Sequence, residues 1–415
     1  MEKNNYFLNN ISLFLIIFLP IALLIGSAVA TVVEVLIIIF FLVTCFYKKD
    51  FEWLKDKYFF LLTIIWISLL VNLLFSLNFS LSFSRNVFFF KNIIFVFALS
   101  YFFKKKKNFN LIFNIYLIII IIVSLDILLE FFTKKNILGF QSYDPTRIAS
   151  FLDDKLKIGH FLLGFSFITA GHYFEKYSKK SMNYKVFGYF LILIFFISLL
   201  LTGERANLLK GTFIIFMFIM LSNNKIIKYK KIFLSSIILL LCITFFFSER
   251  IKYRFNVIFQ PLKDIGVFKT FEETQHAAHY YTALRIFEKY PFFGIGNKNF
   301  REECLNQEYE NKNLKRGAER CSTHPHQIYF ELLSEHGIVG TITIIFIMSF
   351  FLLKNFKIYL KNKNAIHLAS ILFIFSQFLP LIPSGSFFTS WSSKIFWINF
   401  SVLIYYNNKF IQKRI

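Results

Sequence analysis

The sequence predicts an all-α, polytopic membrane protein with about twelve transmembrane helices. Hydrophobic residues make up 56% of its 415 residues, and the mean hydropathy is +0.57. Most of these residues fall in long, nearly uncharged runs, each able to cross the roughly 30 Å of hydrocarbon in a bilayer. A soluble chain of this length would not carry so many such runs.

The apolar runs are the predicted helices. In order along the chain they cover residues 11–28, 30–47, 58–75, 86–103, 109–131, 158–174, 186–202, 206–222, 232–248, 337–353, 365–382 and 390–406. Only Lys3 precedes the first run as a basic residue, and the second run follows at once. This arrangement favours an uncleaved helical hairpin over a cleaved signal peptide.

Lysine clusters indicate the orientation of the helices. They follow every second run, at Lys48, Lys49, Lys55 and Lys57, at Lys104 to Lys107, at Lys176, Lys179, Lys180 and Lys185, at Lys225, Lys228, Lys230 and Lys231, and at Lys354, Lys357, Lys361 and Lys363. By the positive-inside rule these loops and both termini are cytoplasmic. The net charge of +23 therefore reflects topology. No basic soluble domain is present, so we exclude nucleic-acid binding.

This topology leaves two long segments on the outer face. Residues 1–248 contain helices one to nine with the outer loop 132–157, residues 249–336 form one large outer loop, and residues 337–415 contain helices ten to twelve and the tail. The large loop is short for an independent domain. We expect amphipathic helices that lie on the membrane surface.

Residues 323–340 place the closely spaced His324 and His326 and two acids beside a membrane helix, where polar chemistry usually indicates function. Pro325 suits the first position of a helix, which would put His326 in the first turn of a helix running through Glu335. A helix N-terminus keeps an imidazole neutral, as a general base requires. We expect His324 to face elsewhere and to support rather than catalyse. The alternative is that His326 only caps the helix.

This stretch also resembles a known signature. His-Pro-His, then an amide and an aromatic residue, and finally Leu-x-Glu-x-Gly-x-x-Gly is similar to the pattern of the O-antigen ligase and polymerase superfamily. The resemblance implies a bacterial inner-membrane glycosyltransferase with a periplasmic site, and places the large loop in the periplasm. Glu335 holds the family's Glu position, where it would orient the helix start or bind substrate or a cation; ordinary solvation is the alternative.

A second resemblance lies at residues 201–209, a short outer turn. Arg205 holds the position of the family's arginine, and its planar guanidinium suits two phosphate oxygens. An interfacial snorkelling role is the alternative. Arg85 and Lys210 lie near outer helix ends, and together such cations would suit a diphosphate, although each alone is typical of snorkelling.

A third resemblance lies at residues 281–300, which carry the family's Pro-x-x-Gly-x-Gly-x-x-x-Phe pattern. The family commonly has a second arginine before this helix. This chain has His276 and His279 there, and either histidine could make one phosphate contact. Residues 147–159 also resemble a family loop, which makes Arg147 a candidate sugar or phosphate ligand. The resemblance covers approximately residues 140–345.

Cys304 and Cys321 both lie in the large outer loop. An oxidising periplasm would favour a disulfide between them, against two free thiols. A metal site at Cys321, His324 and His326 is a weaker hypothesis because the sequence offers no convincing fourth ligand.

The resemblance implies an O-antigen ligase. It would transfer a glycan from undecaprenyl diphosphate to a sugar hydroxyl of lipid A-core, among membrane lipids and without a metal, nucleotide or other cofactor. His326 would act as base, and Arg205 would stabilise the departing diphosphate. An O-antigen polymerase or a protein O-oligosaccharyltransferase would use the same donor. From another class, a polysaccharide flippase would share the helices and cations but would not need the His326 motif.

Overall fold

The computed structural model describes residues 2–153, 155–177, 181–222, 235–239, 242, 246 and 248–412. These residues form helices and irregular loops without β-strand. The helices are α1 (Glu2–Ile25), α2 (Ser27–Lys48), α3 (Lys57–Leu74), α4 (Phe79–Val87), α5 (Phe90–Phe103), α6 (Lys106–Thr133), α7 (Ile158–Tyr177), α8 (Met182–Leu201), α9 (Arg205–Leu221), α10 (Glu249–Glu272), α11 (Gln275–Lys289), α12 (Phe300–Glu303), α13 (Ile328–Asn362), α14 (Ala365–Gln377) and α15 (Ser390–Gln412).

Seven described segments are long and apolar enough to cross a membrane: α1 from Leu8, α2, α3, α4 with α5, α6, α8 and α13. Helix α14 is a shorter apolar helix. An all-helical, multi-pass membrane protein is therefore confirmed, and the number twelve stays a prediction. The predicted run 232–248 and the lysine cluster 225–231 lie largely or wholly outside the described residues, as do Lys179 and Lys180. The domain boundaries also stay predictions.

Helix α7 lies at the centre of the bundle, where it packs against α6, α8, α14 and α15. Two of its glycines explain the close packing. A Cβ on Gly171 would lie 2.8 Å from the Ala365 carbonyl oxygen, and one on Gly164 would lie 2.0 Å from the Ile395 side chain. Small residues let helices approach closely in a membrane, where apolar burial alone gives little drive for helix association.

A buried charge cluster joins helices that are distant in sequence. Glu34 on α2 is fully buried. Its carboxylate accepts hydrogen bonds from Lys91 on α5, at 3.1 Å, and pairs with Lys394 on α15 at 3.3 Å. The indole of Trp391 on α15 donates to the Leu23 carbonyl oxygen on α1 at 2.9 Å. The N-terminal hairpin is thus held to the last helix of the chain by polar contacts.

Two ends of the bundle differ in chemistry. At one end Lys57, at the start of α3, lines a small cavity with Lys354, Lys357 and Lys361 of α13. At the other end of α3, the Leu77 amide donates to the carbonyl oxygen of Ile295 in the large loop. That loop has a small core of its own, formed by Ala283, Ile286, Ile295, Phe300, Cys304 and Tyr309.

Candidate functional site

The prediction that His326 lies in the first turn of a helix is wrong. Helix α13 begins at Ile328, and Gln327 is its N-cap, with its side-chain oxygen accepting from the amides of Tyr329 and Phe330. His326 precedes the cap and has a left-handed φ of 61°. Because the cap must be extended, the chain reverses direction at His326 before the helix can begin.

The expectation that His324 faces elsewhere is also wrong. The His324 and His326 ring centroids are only 4.2 Å apart. His276 and His279 of α11 complete the group, with ring centroids 5.8 Å and 5.3 Å from that of His326. The structure thus brings together four histidines that the sequence places in two separate motifs. We call them the histidine cluster.

Burial keeps the histidine cluster neutral. Burial, followed by the neighbouring imidazoles, lowers the pKa of His326 to about 3. Burial is also the main cause that lowers the pKa of His279 and His324 to about 4 and that lowers the pKa of His276. At neutral pH the ring of His326 is therefore unprotonated, as a general base requires. The Ser322 hydroxyl lies 2.8 Å from Nε2 of His326, which shows that a hydroxyl can reach this nitrogen.

Two glycines join the loop that follows α11 to helix α13. Gly294 and Gly337 have φ values of 67° and 61°. A Cβ on Gly337 would lie 2.4 Å from the Phe292 backbone, and one on Gly294 would lie 2.5 Å from the Glu335 carbonyl carbon. Their contact lets the Ile338 amide donate to the Pro291 carbonyl oxygen at 2.8 Å. The family-like stretches 281–300 and 323–340 are thus in direct backbone contact.

Asn72 of α3 hydrogen-bonds to both sides of this junction. Its side-chain amide donates to the carbonyl oxygens of Phe293 and Glu335 at 2.7 Å and 2.9 Å. The carboxylate of Glu335 accepts from the Phe300 amide at 3.2 Å. Glu335 therefore ties the loop 294–300 to α13. Its side chain also lines a separate small cavity.

His324 and His326 open onto a cavity of about 640 Å³, which we call the main cavity. Of the predicted site residues, His324, His326, Arg85, Arg147 and Lys210 line it. Lys210 is almost fully buried. Arg85 donates to the Phe388 carbonyl oxygen at 2.6 Å and is thus anchored inside the protein, not only positioned at the interface as a snorkelling side chain would be.

Arg205 is not among the residues that line the main cavity, although Glu204, Ala206 and Asn207 are. Its guanidinium donates to the Arg254 carbonyl oxygen at 3.3 Å, and Arg254 in turn donates to the Gly203 carbonyl oxygen at 3.1 Å. Arg205 is close enough to His276 to influence its charge. It therefore lies between α10 and the histidine cluster.

Arginines gather around this turn. Arg147, Arg205 and Arg254 repel one another electrostatically, and Arg250 donates to the Arg147 carbonyl oxygen at 2.5 Å. We call these four residues the arginine cluster. The buried carboxyl group of Glu204 beside it accepts from the Gly159 amide and from Asn207, and burial raises its pKa to about 7. The cluster thus has a surplus of positive charge, which suits a multiply charged anion.

The sequence interpretation missed Arg250 and Arg254. No motif marks them, because they lie in a segment whose position depends on how α10 folds back over the turn at Gly203. The only signal in the sequence is their spacing of four residues on a predicted amphipathic helix, which places both on one face.

Cys304 and Cys321 form a disulfide with Cα atoms 5.3 Å apart. It links the end of α12 to the start of the loop 321–327, which carries His324 and His326 and which we call the histidine loop. Cys321 is thereby removed as a metal ligand, and among the described residues no group of three or more His, Cys, Asp or Glu side chains could hold a metal ion.

Residues 190–345 match the sequence model of a family described as O-Antigen ligase. This segment belongs to the O-antigen ligase superfamily. The O-antigen ligase segment contains both histidine pairs, Arg205, Lys210, Glu335 and the disulfide, whereas Arg85 and Arg147 precede it. No curated protein sequence matches the chain. The chain is thus a multi-pass membrane protein with an O-antigen ligase domain.

Proposed function

We propose that the protein is an O-antigen ligase of the bacterial inner membrane. It would transfer a glycan from undecaprenyl diphosphate to a sugar hydroxyl of lipid A-core, in a site that faces the periplasm. One observation carries the proposal: within one site, a neutral histidine cluster lies beside an arginine cluster with surplus positive charge. General-base catalysis and stabilisation of an anionic leaving group are the two tasks of such a transfer.

In the proposed reaction His326 takes the proton of the acceptor hydroxyl while that oxygen attacks the anomeric carbon of the donor. The bond from the anomeric carbon to the diphosphate oxygen breaks, and the diphosphate leaves with the electron pair. Arg205 and Arg254 stabilise the departing charge, with His276 next to them. The position held by Ser322 Oγ on the His326 ring is where we place the incoming hydroxyl.

The low pKa of His326 fits this order of events. A base with a pKa of about 3 is a weak proton acceptor while the site is empty. The negative charge of a bound diphosphate would favour the imidazolium and raise this pKa towards the working pH. Donor binding would therefore activate the base.

The surface lipopolysaccharide of a strain lacking the protein tests the proposal. We expect core lipid without O-chain, while long polymer accumulates on the undecaprenyl carrier. Core lipid that carries one repeat would identify an O-antigen polymerase instead. Single lipid-linked units that accumulate inside the cell would identify a flippase, and either result would contradict the ligase assignment.

A further inference from the structure

A second cavity of about 190 Å³ lies beside the main cavity, and we call it the side cavity. The two cavities share Arg85, Thr323, His324, Ser386 and Thr389 as lining residues. Because His324 also contacts His326, one unit of a chain-like molecule could occupy the side cavity while its neighbour lies at the histidine cluster. The mechanism above makes no use of this space.

The side cavity contains an unused buried polar group. Asn297 is 1% exposed, and its side-chain amide nitrogen has no hydrogen-bond partner among the described residues. Its backbone is held in place, because the hydroxyl of Ser82 and the amide of Asn299 donate to its carbonyl oxygen. Leaving a buried donor unpaired is costly, and such groups commonly mark a ligand position. A hydroxyl or an anionic oxygen in the cavity would satisfy it.

Cations line the same space without ion-pair partners. Arg85 and Arg301 donate to the backbone carbonyl oxygens of Phe388 and Thr323, and Lys298 also lines the cavity. Within the described part of the chain, none of these three cations lies at ion-pairing distance from a carboxylate.

The two acids of the side cavity are already engaged by the backbone. Glu331 accepts from the Phe387 amide at 3.0 Å, and Glu335 accepts from the Phe300 amide at 3.2 Å. Both are 1% exposed. Three cations therefore line the side cavity, while each of the two carboxylates uses one oxygen to accept a hydrogen bond from a loop amide. This balance favours a ligand with a negative charge.

We propose that the side cavity binds an acceptor sugar unit that bears an anionic substituent, a carboxylate or a phosphate. The mixture of hydroxyls, a buried amide, cations and the Phe388 ring provides hydrogen bonds for sugar hydroxyls and an apolar face. That this sugar is the acceptor rests on the proposed function. The binding of an acidic sugar in the side cavity does not depend on that function.

Binding is measured first, by calorimetry on the full-length protein in detergent. The probes are three oligosaccharides that differ only in the terminal sugar: glucose, glucuronic acid or glucose 6-phosphate. We expect the two acidic probes to bind more tightly than the neutral one, and the better of the two identifies the substituent. Arg301→Gln should weaken the acidic probes about tenfold and leave the neutral probe unchanged, because a charge-assisted hydrogen bond is lost. Arg301→Lys should retain part of the preference.

Arg285→Gln is the matched control, since Arg285 is an exposed arginine of the same outer region that pairs with Glu288. It should bind like the wild type. Equal binding of neutral and acidic probes, or equal effects of the Arg301 and Arg285 variants, would overturn the proposal. Transfer from a lipid-linked donor is measured separately. Selective binding without transfer would count against the ligase function alone, and transfer indifferent to Arg301 would count against the side cavity alone.

Discussion

His326 combines a strained backbone with a half-buried ring. Its positive φ points the imidazole into a group of three other imidazoles rather than along a helix. Non-glycine residues in this conformation cost of the order of 1–3 kcal/mol and persist where the surrounding structure requires them. Here the Ser384 amide, which donates to the His326 carbonyl oxygen at 2.7 Å, holds the reversed chain.

We expect His326→Ala to insert at normal levels and to lose at least a hundredfold in transfer rate, as removal of a general base commonly does. Because the pKa of His326 in the empty site is lowered to about 3, the base is already deprotonated throughout the usual assay range. The acid limb of kcat/KM should therefore lie well below pH 6.5, and that of kcat should lie at higher pH once donor is bound. Transfer by His326→Ala at near-normal rates would remove it as the base.

The effect of substituting an arginine should depend on the groups that this arginine contacts. Arg205→Ala should lose donor-dependent transfer, and Arg205→Lys should recover little, because an ammonium group cannot offer two parallel N–H bonds to phosphate oxygens. Arg254→Ala should raise the KM for the donor in the same direction. Arg285→Ala provides a control, since that exposed arginine pairs with Glu288. These effects are measured as initial rates with lipid-linked donor. If Arg205→Lys were fully active, bidentate phosphate binding would be ruled out.

At the scale of elements, the junction between loop 291–296 and α13 organises the site. Gly337 interrupts the helical φ and ψ of α13, so that the chain bonds to Pro291 and Phe292 before the helix continues. Ile295 of this loop belongs to the small core that also contains Cys304 of the disulfide, and Glu335, two residues before Gly337, lines the side cavity. Its geometry depends on two glycines at which no side chain would fit.

Gly337→Ala should therefore destabilise the protein by about 3 kcal/mol or more, from left-handed backbone strain and overpacking together. Gly139→Ala is the matched control, because Gly139 also has a positive φ, 86°, but has no atom within 4 Å of an added Cβ. Thermal unfolding in detergent compares the two, and the Gly337 variant should melt at the lower temperature. Equal unfolding temperatures of the two variants would show that the contact at the junction adds no destabilisation beyond the backbone strain.

Hydropathy predicted most of the elements but not the local geometry of the site. Each long apolar run that the structure describes lies on a helix, because lipid requires the backbone to bond internally. Pro325 suggested a helix start three residues too early, since Gln327 makes the capping bonds instead. Arg254 and the contact between His324 and His326 arise from tertiary packing, which no local pattern encodes.

At the scale of the whole molecule, the lysines around Lys57 and the site lie toward opposite ends of α3. Helix α3 runs from Lys57, beside Lys354 and Lys361, to the loop that contacts Ile295. Its 18 residues span about 27 Å, close to the hydrocarbon thickness of a bilayer. This separation is the one that the positive-inside rule requires if the site faces outward.

Reporter fusions test this orientation. Fusions at residues 107, 180, 228 and 360 should report the cytoplasm, and a fusion near residue 310 should report the periplasm. Variants that carry only the short insertion at each position, without the reporter, serve as controls for expression. A cytoplasmic signal at 310 would contradict the orientation of the site, since the histidine loop follows directly along the chain.

The contacts of Glu34 have a consequence for biogenesis. During synthesis α2 enters the bilayer long before Lys394 of α15 exists, and only Lys91 can reach its carboxylate first. A chain released before α15 would keep the Glu34–Lys91 ion pair but would lack the contacts that Lys394 and Trp391 make with the N-terminal hairpin, and polar groups left without partners are expensive in a bilayer. We expect such fragments to be short-lived, so that the last helix to be translated determines whether the first hairpin is retained in the cell.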